Sequence, residues 1–447
     1  MKKFIETLQN IWKIEELRNK ILLTLGLLFI YRVGSNVPLP GVDIATLEGL
    51  KDQTDGGLAG LLNAFTGGAF SNASVLALGI MPYISASIVI QLLGLAVPSI
   101  QKLQKDGESG RQKITQITRY LTIAICLVQA PGYIFNLSQL GVASVLDPAM
   151  FNVLAVITLV AGTIFAMWLG ERITDRGIGN GISILIMIGI IASFPTSVIQ
   201  EVIARTSSGG GLVAIALEFV AFYVVIMFAI ALTQAVRKVP LQYAKRNAVA
   251  GQMASRPLGR EYLPLRVNAS GVMPIIFAQA IMFIPITVAG LGGGDATGSN
   301  WIVEYFGDIT GFWYNLVFAV LIIGFTYFYT AIQVNTNNIA DDLKRNGGFV
   351  PGVKPGRATA EYLDEILSRI TLPGAVFLAF LAILPAFAMQ VNMTTQWAQF
   401  YGGTSLLIIV GVILDTLMQI ESYLLNRHYD GLMKSGRLKG RSTANVI

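Results

Sequence analysis

The stretch GIMPYISASI at residues 79–88 lies inside an apolar run, and its opening returns as GVMPIIFAQA at residues 271–280. Both copies begin with Gly, an aliphatic residue, Met and Pro, and both have Ile two residues after the Pro. Gly weakens a helix through its backbone entropy and Pro through its missing N–H, so each copy predicts a break in an apolar segment. A broken apolar segment that occurs twice suggests a chain built from two related halves.

The composition is typical of a membrane protein. The 447 residues are 53% hydrophobic and 13% charged, whereas soluble domains carry about 25% charged residues. Ten apolar runs are long enough to cross about 30 Å of hydrocarbon, which predicts an all-α polytopic membrane protein with ten transmembrane helices. The runs lie at 21–37, 73–98, 118–137, 151–170, 181–199, 211–235, 269–291, 313–333, 372–391 and 403–425.

The placement of basic residues predicts the orientation of these spans. Twenty-nine of the 32 Lys and Arg residues fall on one side of the membrane, and only Lys51 and Arg205 fall in loops on the other. Short cytoplasmic loops carry the excess of basic residues, so both termini are predicted to be cytoplasmic. Residues 1–20 then form a cytoplasmic amphipathic segment rather than a signal peptide, and 426–447 a cytoplasmic tail. Arg32, late in the first span, is expected to snorkel toward the outer surface.

The repeated motif occurs in spans of opposite direction. Residues 79–88 belong to span 2, which runs inward, and 271–280 to span 7, which runs outward. This predicts two inverted halves, residues 21–199 and 211–425, with a functional path on the interrupted helices. A chance match is the alternative, because Gly and Pro are frequent in membrane helices. The predicted helix breaks are Gly79, Pro82, Gly271 and Pro274.

Few charged residues occur within the spans. Glu218 and Asp415 are the candidates, and such residues are rare at membrane depth because they are costly there. Asp415 is interpreted as a hydrogen-bonding partner of a neighbouring helix or as a proton-coupling group. Isoleucines recur instead at a spacing of four, as in Ile80 and Ile84. Residues at this spacing share a helix face, which suits ordinary packing or an apolar constriction that resists wetting.

The sequence offers no site for enzymatic chemistry. GIGNG at 177–181 is similar to a phosphate loop but lacks a preceding strand, so it is better interpreted as the turn into span 5. His428 is the only histidine and Cys126 the only cysteine, and no pair of nucleophile and base is evident. We therefore predict a non-enzymatic protein with no cofactor and no metal. From the residues alone, a secondary transporter for a small solute ranks first.

Several stretches of the sequence are more specific than its composition and spacing. GIMPYISASIVIQLL at 79–93 and MWLGERITDRGIGNGISILI at 167–186 resemble the two signature stretches of the SecY family of bacterial protein-conducting channels. The resemblance runs from about residue 20 to the C-terminal tail. It continues in GESGRQKITQITRY (107–120), QYAKR (242–246), LPLRVNASGVMPIIFA (263–278), FVPGVKPG (349–356) and YGGTSLL (401–407).

The resemblance implies a clamshell of two five-helix halves with a lateral gate between spans 2 and 7. It implies a plug at about 57–70, for which an extracellular surface helix is the alternative. It also implies a polar cluster at the gate, formed by Gln91, Asn180 and Thr404, which as sequence features alone are ordinary helix-packing residues. The hydrophobic pore ring falls on Ile80, Ile84, Ile182, Ile186, Ile276 and Ile408.

The resemblance also implies partners. The segments 236–268 and 334–371 correspond to docking arms for the ribosome and the SecA ATPase. SecE and SecG are implied as subunits that stabilise the channel. Signal sequences, nascent polypeptides and lipids would meet the gate in the bacterial cytoplasmic membrane. Lys354 stands where the family typically has Arg, which keeps the charge but loses the bidentate fork. The predicted docking residues are Lys245, Arg246, Arg256, Arg260 and Lys354; topology alone is the other explanation of their charge.

Overall fold

The structure is a computed structural model that describes most of the chain, with gaps. The described residues are 12, 14–43, 63, 66–139, 142, 145–207, 211–243, 261–279, 281–282 and 310–434. They form helices and one small sheet. The strands are β1 (Val236–Tyr243), β2 (Glu261–Arg266) and β3 (Gly348–Phe349). The helices are α1 (Glu15–Gly34), α2 (Met81–Ala96), α3 (Pro98–Lys105), α4 (Gly107–Gln139), α5 (Pro148–Arg176), α6 (Gly181–Ser207), α7 (Gly211–Gln234), α8 (Phe312–Gln333), α9 (Thr336–Arg345), α10 (Arg357–Gln390), α11 (Thr395–Ala398) and α12 (Gly403–Lys434).

The long helices confirm the all-α membrane class. Within the described residues, seven helices are long and apolar enough to span a membrane, and the bent pair of α2 and α3 makes up to eight. α6, α7 and α12 begin at the predicted positions 181, 211 and 403. Other helices extend past their apolar runs, because polar segments such as 107–117 and 357–371 continue the same helix.

The repeated Gly-Met-Pro motif has the same local structure in both copies. Gly79 and Gly271 have φ of +51° and +64°, a conformation that favours glycine. A helix begins two residues after each glycine, so Pro82 and Pro274 lie in a first turn, where a missing N–H costs little. Each motif therefore lies where an apolar run changes from turns to helix, and its role as a break in a gate helix stays a prediction.

The sharp bend next to span 2 lies at its other end. α2 and α3 meet at an angle of 104°. Val97 between them is extended, with φ −108° and ψ 113°, as expected for a residue that precedes a proline. Residues 73–80, predicted as part of the span, are not helical: they form turns, with an isolated β-bridge from Ser74 to Pro38.

The chain divides into two compact units. Among the described residues, one unit comprises 12–43, 63, 66–193 and 412–434, and the other comprises 194–411. The boundaries lie within α6 and within α12.

The two segments predicted as docking loops contain folded structure within the second unit. β1 pairs antiparallel with β2 and with β3, so the strand order is β2-β1-β3. Strands and helices from both segments contribute to one apolar core. Its buried residues are Val239, Leu241, Leu265, Leu343, Val350, Leu363 and Leu367. The two arms therefore form a common packed body, which the sequence did not predict.

Candidate functional site

The first pair of predicted ring residues lies at the start of α2. Ile80 is the residue before the helix and is buried, and Ile84 is half-buried one turn later. The Ile84 N–H donates to the Ile80 carbonyl at 3.0 Å. The two residues therefore belong to one helical turn, as their spacing predicted.

The second pair lies at the start of α6. Ile186 is buried and Ile182 half-buried. A Cβ on Gly170 of α5 would lie 2.9 Å from Ile182 Cγ1, so the Ile182 side chain rests against that glycine. One side of the Ile182 side chain is therefore in a packing contact between α5 and α6.

The last two ring residues belong to the other unit. Ile276 is half-buried in the helical stretch 273–279, and Ile408 is buried in the second turn of α12. All six isoleucines lie at or within helices and none is classed as exposed. Their closure into one ring remains a prediction.

The predicted gate polar residues lie in three different local environments. Gln91 Nε2 donates to Ser87 Oγ at 3.2 Å, one turn earlier on α2. Asn180 Oδ1 accepts from the Ile182 N–H at 3.2 Å, so this residue caps the start of α6. Thr404 is buried and lines a cavity of about 40 Å³ in the second unit with Gln399 and Ser405. Whether the three act together at a gate remains a prediction.

The predicted docking residues are mostly beyond the described part of the chain. Lys245, Arg246, Arg256 and Arg260 lie outside the described residues. Lys354 is exposed in the turn that leads into α10, and its carbonyl accepts from Thr359 Oγ1 at 2.9 Å. This ammonium group is therefore presented to solvent.

The predicted plug is described only at residues 63 and 66–70. Arg32 Nη1 of α1 donates to the Gly67 carbonyl at 2.8 Å, and the Tyr133 hydroxyl of α4 donates to the Phe70 carbonyl at 2.9 Å. The Phe70 and Tyr133 rings also pack edge to face with centroids 4.9 Å apart. The guanidinium of Arg32 thus holds a backbone carbonyl, a contact that snorkelling did not predict.

The two acidic residues singled out within the spans differ in environment. Asp415 of α12 is exposed on this chain. Glu218 of α7 is buried, and its Oε1 lies 2.7 Å from Arg205 Nη2. Arg205 Nε also lies 2.9 Å from Glu201 Oε1. Sequence reasoning placed Arg205 in an outer loop and missed this cluster, although Glu201 and Arg205 have the i, i+4 spacing of a helical ion pair.

The acidic group of Glu201 reaches a third segment. Its Oε2 accepts from the Thr394 N–H at 2.8 Å and from Thr394 Oγ1 at 2.5 Å. The Tyr401 hydroxyl, close to the start of α12, donates to the Glu218 carbonyl. The cluster thereby joins α6, α7 and the segment before α12 within the second unit.

Comparison with known proteins identifies the family. A model of the SecY family matches residues 74–417. The chain is 44% identical to protein translocase subunit SecY of Halalkalibacterium halodurans over 439 residues, 96% of this chain and 99% of that protein. It is 42% identical to the same subunit of Streptomyces scabiei over 436 residues, 95% and 98% of the two chains. The chain belongs to the SecY family.

Solved structures share the fold. One is a SecY structure reported to show that the plug domain stabilises the closed state of the translocation channel and maintains a membrane seal. It has TM-score 0.64 and 16% identity, and the match covers 90% of this chain and 91% of that one. Another is canine Sec61 in a ribosome–channel complex, with TM-score 0.60, 16% identity and the same coverage. The chain therefore has the fold of the SecY and Sec61 channels and is a multi-pass membrane protein.

Two stretches that resemble SecY are joined in the structure. Arg119 is the last but one residue of the stretch 107–120 on α4, and Glu171 lies in the stretch 167–186 on α5. The guanidinium donates to both carboxylate oxygens, at 2.9 and 2.7 Å. This bidentate pair links the two SecY stretches, and sequence reasoning did not predict it.

Proposed function

We propose that this chain is the central channel subunit of the Sec translocon. It passes unfolded secretory polypeptides across the bacterial cytoplasmic membrane and releases transmembrane segments sideways into lipid between spans 2 and 7. The observation that carries the proposal is membership of the SecY family over nearly the full chain. The presence of Ile at all six positions expected for the pore ring supports it.

The isoleucines supply the physical mechanism of the seal. Water in a narrow apolar neck is unstable, so a ring of Ile side chains would resist ion flow while no polypeptide is present. Aliphatic side chains can adjust their rotamers around an extended chain of varying sequence. The plug at about 57–70 would add to the seal, and Gln91, Asn180 and Thr404 would set how hydrophobic a signal sequence must be to open the gate.

The partners follow from the same proposal. SecE and SecG would stabilise the two halves, and the ribosome and SecA would dock on the cytoplasmic arms and supply the energy. The packed core shared by β1, β2, α9 and the start of α10 supports this role, because a rigid body presents charged residues such as Lys354 at fixed positions. The chain itself would act without enzymatic chemistry.

Site-specific crosslinking tests the proposed path. A photo-crosslinker is placed at Ile84 or at Ile186, and a secretory chain is stalled midway through translocation. We expect adducts at both positions that require a functional signal sequence. The matched control is Ile157 on α5, which is 61% exposed and should give no adduct. Efficient translocation without adducts at Ile84 and Ile186 would contradict the proposal and reopen the solute-transporter hypothesis.

A further inference from the structure

The turn at 177–181 is held by polar side chains from three different helices of its unit. The Ile178 N–H donates to Thr24 Oγ1 of α1 at 3.2 Å. The Gly179 N–H donates to Gln419 Oε1 of α12 at 2.9 Å. The Gly181 N–H donates to Thr174 Oγ1 of α5 at 2.9 Å. These bonds satisfy backbone donors that precede the regular hydrogen bonding of α6.

The turn has little freedom to move between these partners. Gly179 has φ +77°, and a Cβ there would lie 2.8 Å from Ile184 Cδ1. A Cβ on Gly177 would lie 2.5 Å from Thr24 Oγ1, and one on Gly181 would lie 2.7 Å from Ile173 Cβ. The backbone of the turn is therefore packed directly against its neighbours, and a shift of a neighbour would be transmitted to it.

Matching faces of α1 and α12 contribute a second contact. Lys20 precedes Thr24 by one turn, and Tyr423 follows Gln419 by one turn, so each pair shares a helix face. Lys20 Nζ donates to the Tyr423 hydroxyl at 2.8 Å. This hydrogen bond raises the pKa of Lys20 above its ordinary value.

The turn determines where α6 begins. Ile182 is the second residue of α6 and Ile186 follows one turn later, so both depend on how the first turn is held. Gln419 belongs to the helix that also carries Ile408, eleven residues earlier. One side chain of α12 thus holds the segment that carries two other predicted ring residues.

We propose that Gln419 and Thr24 are positioning residues of the channel: their side-chain oxygens hold the turn at 177–181 and so fix Ile182 and Ile186 in the pore ring. This rests on the proposed function. Through Gln419, a displacement of residues 412–434 of α12 shifts the start of α6 and with it Ile182 and Ile186. Loss of either oxygen loosens Ile186 but leaves Ile84, which lies on α2, in place.

Hydrogen exchange tests whether the turn is held. Amide exchange at 178–184 is compared in the full chain, purified with its copurifying subunits, for wild type and variants. Gln419→Leu and Thr24→Val remove the acceptor oxygens and should speed exchange about three- to tenfold, the range for one lost hydrogen bond. Gln419→Glu and Thr24→Ser keep an acceptor and should exchange like wild type, as should Leu417→Ala at a neighbouring exposed position. Exchange as slow as wild type in both acceptor-free variants would overturn the proposal.

Crosslinking tests whether holding the turn matters for the path. With a stalled secretory chain, the ratio of adducts at Ile186 to adducts at Ile84 should fall severalfold in Gln419→Leu and recover in Gln419→Glu. Faster exchange with an unchanged ratio would make Gln419 and Thr24 merely structural and overturn their positioning role. Absence of adducts at both sites in wild type would instead refute the proposed channel path, whatever the exchange rates.

Discussion

The turn at 177–181 and the cluster around Arg205 both connect helices through side-chain contacts, but with different chemistry. Each links α6, the helix that carries Ile182 and Ile186, to other segments of one unit. The turn uses neutral hydroxyl and amide oxygens that accept from backbone N–H groups. The cluster uses two carboxylates and one guanidinium whose side chains are 4% to 16% exposed.

The difference shows how each region responds to change. A neutral hydrogen bond contributes about 0.5–1.5 kcal/mol net, and its loss is local. A buried ion pair contributes little relative to an apolar replacement, but removal of one partner leaves an uncompensated charge. In the cluster, two acidic groups share Arg205, and Glu218 Oε2 has no hydrogen-bond donor among the described residues. Removal of one charged side chain from the cluster should therefore cost more stability than removal of one acceptor oxygen from the turn.

The largest effect is expected from Arg205→Met, which keeps an unbranched stem but leaves Glu201 and Glu218 without their cation. We expect a loss of about 3–5 kcal/mol of stability, because two buried carboxylates lose their compensation. The midpoint of thermal unfolding of the detergent-solubilised protein measures it. Arg369→Met is the matched control, since its pair with Glu365 is 78% and 59% exposed and contributes below about 1 kcal/mol. Equal shifts in the two variants would show that the buried cluster contributes no more stability than an exposed ion pair.

A smaller effect is expected from overpacking the turn by Gly181→Ala. Its Cβ would contact the Gly170 carbonyl and lie 2.7 Å from Ile173 Cβ, so α5 and α6 must separate at a cost of about 1–3 kcal/mol. The same thermal measurement applies. Gly26→Ala in α1 is the control, because a Cβ there has no atom within 4 Å and alanine favours a helix. A wild-type midpoint for Gly181→Ala would mean that the turn is looser than its contacts indicate.

The smallest effect is expected from Arg119→Lys. Lysine keeps the charge beside Glu171 but cannot donate to both carboxylate oxygens. Arg119 is 47% exposed, so solvent screening limits the loss to below about 1 kcal/mol. A midpoint shift as large as that of Arg205→Met would show that the Arg119–Glu171 pair stabilises the protein as much as the buried cluster does.

The starts of three long helices were predictable because local signals mark them. The starts of α6, α7 and α12 coincide with the glycines at 181, 211 and 403, where apolar runs begin. Asn180 caps α6 because a side chain two residues away can reach the Ile182 N–H. The Gly-Met-Pro motif left one point open, since the same residues that can break a helix can also begin one. Positive φ at Gly79 and Gly271, which decides between the two, is a property of the folded backbone.

The sequence by itself determined the membrane class, the starts of α6, α7 and α12 and the SecY resemblance, because hydropathy and motif order are properties of neighbouring residues. Only the tertiary structure decided which side chains meet. Thr24 and Ile178 are 154 positions apart, Glu201 and Thr394 are 193 apart, and Gly179 and Gln419 are 240 apart. Such contacts depend on how helices pack against one another, and helix packing juxtaposes residues whose separation along the chain carries no periodic signal.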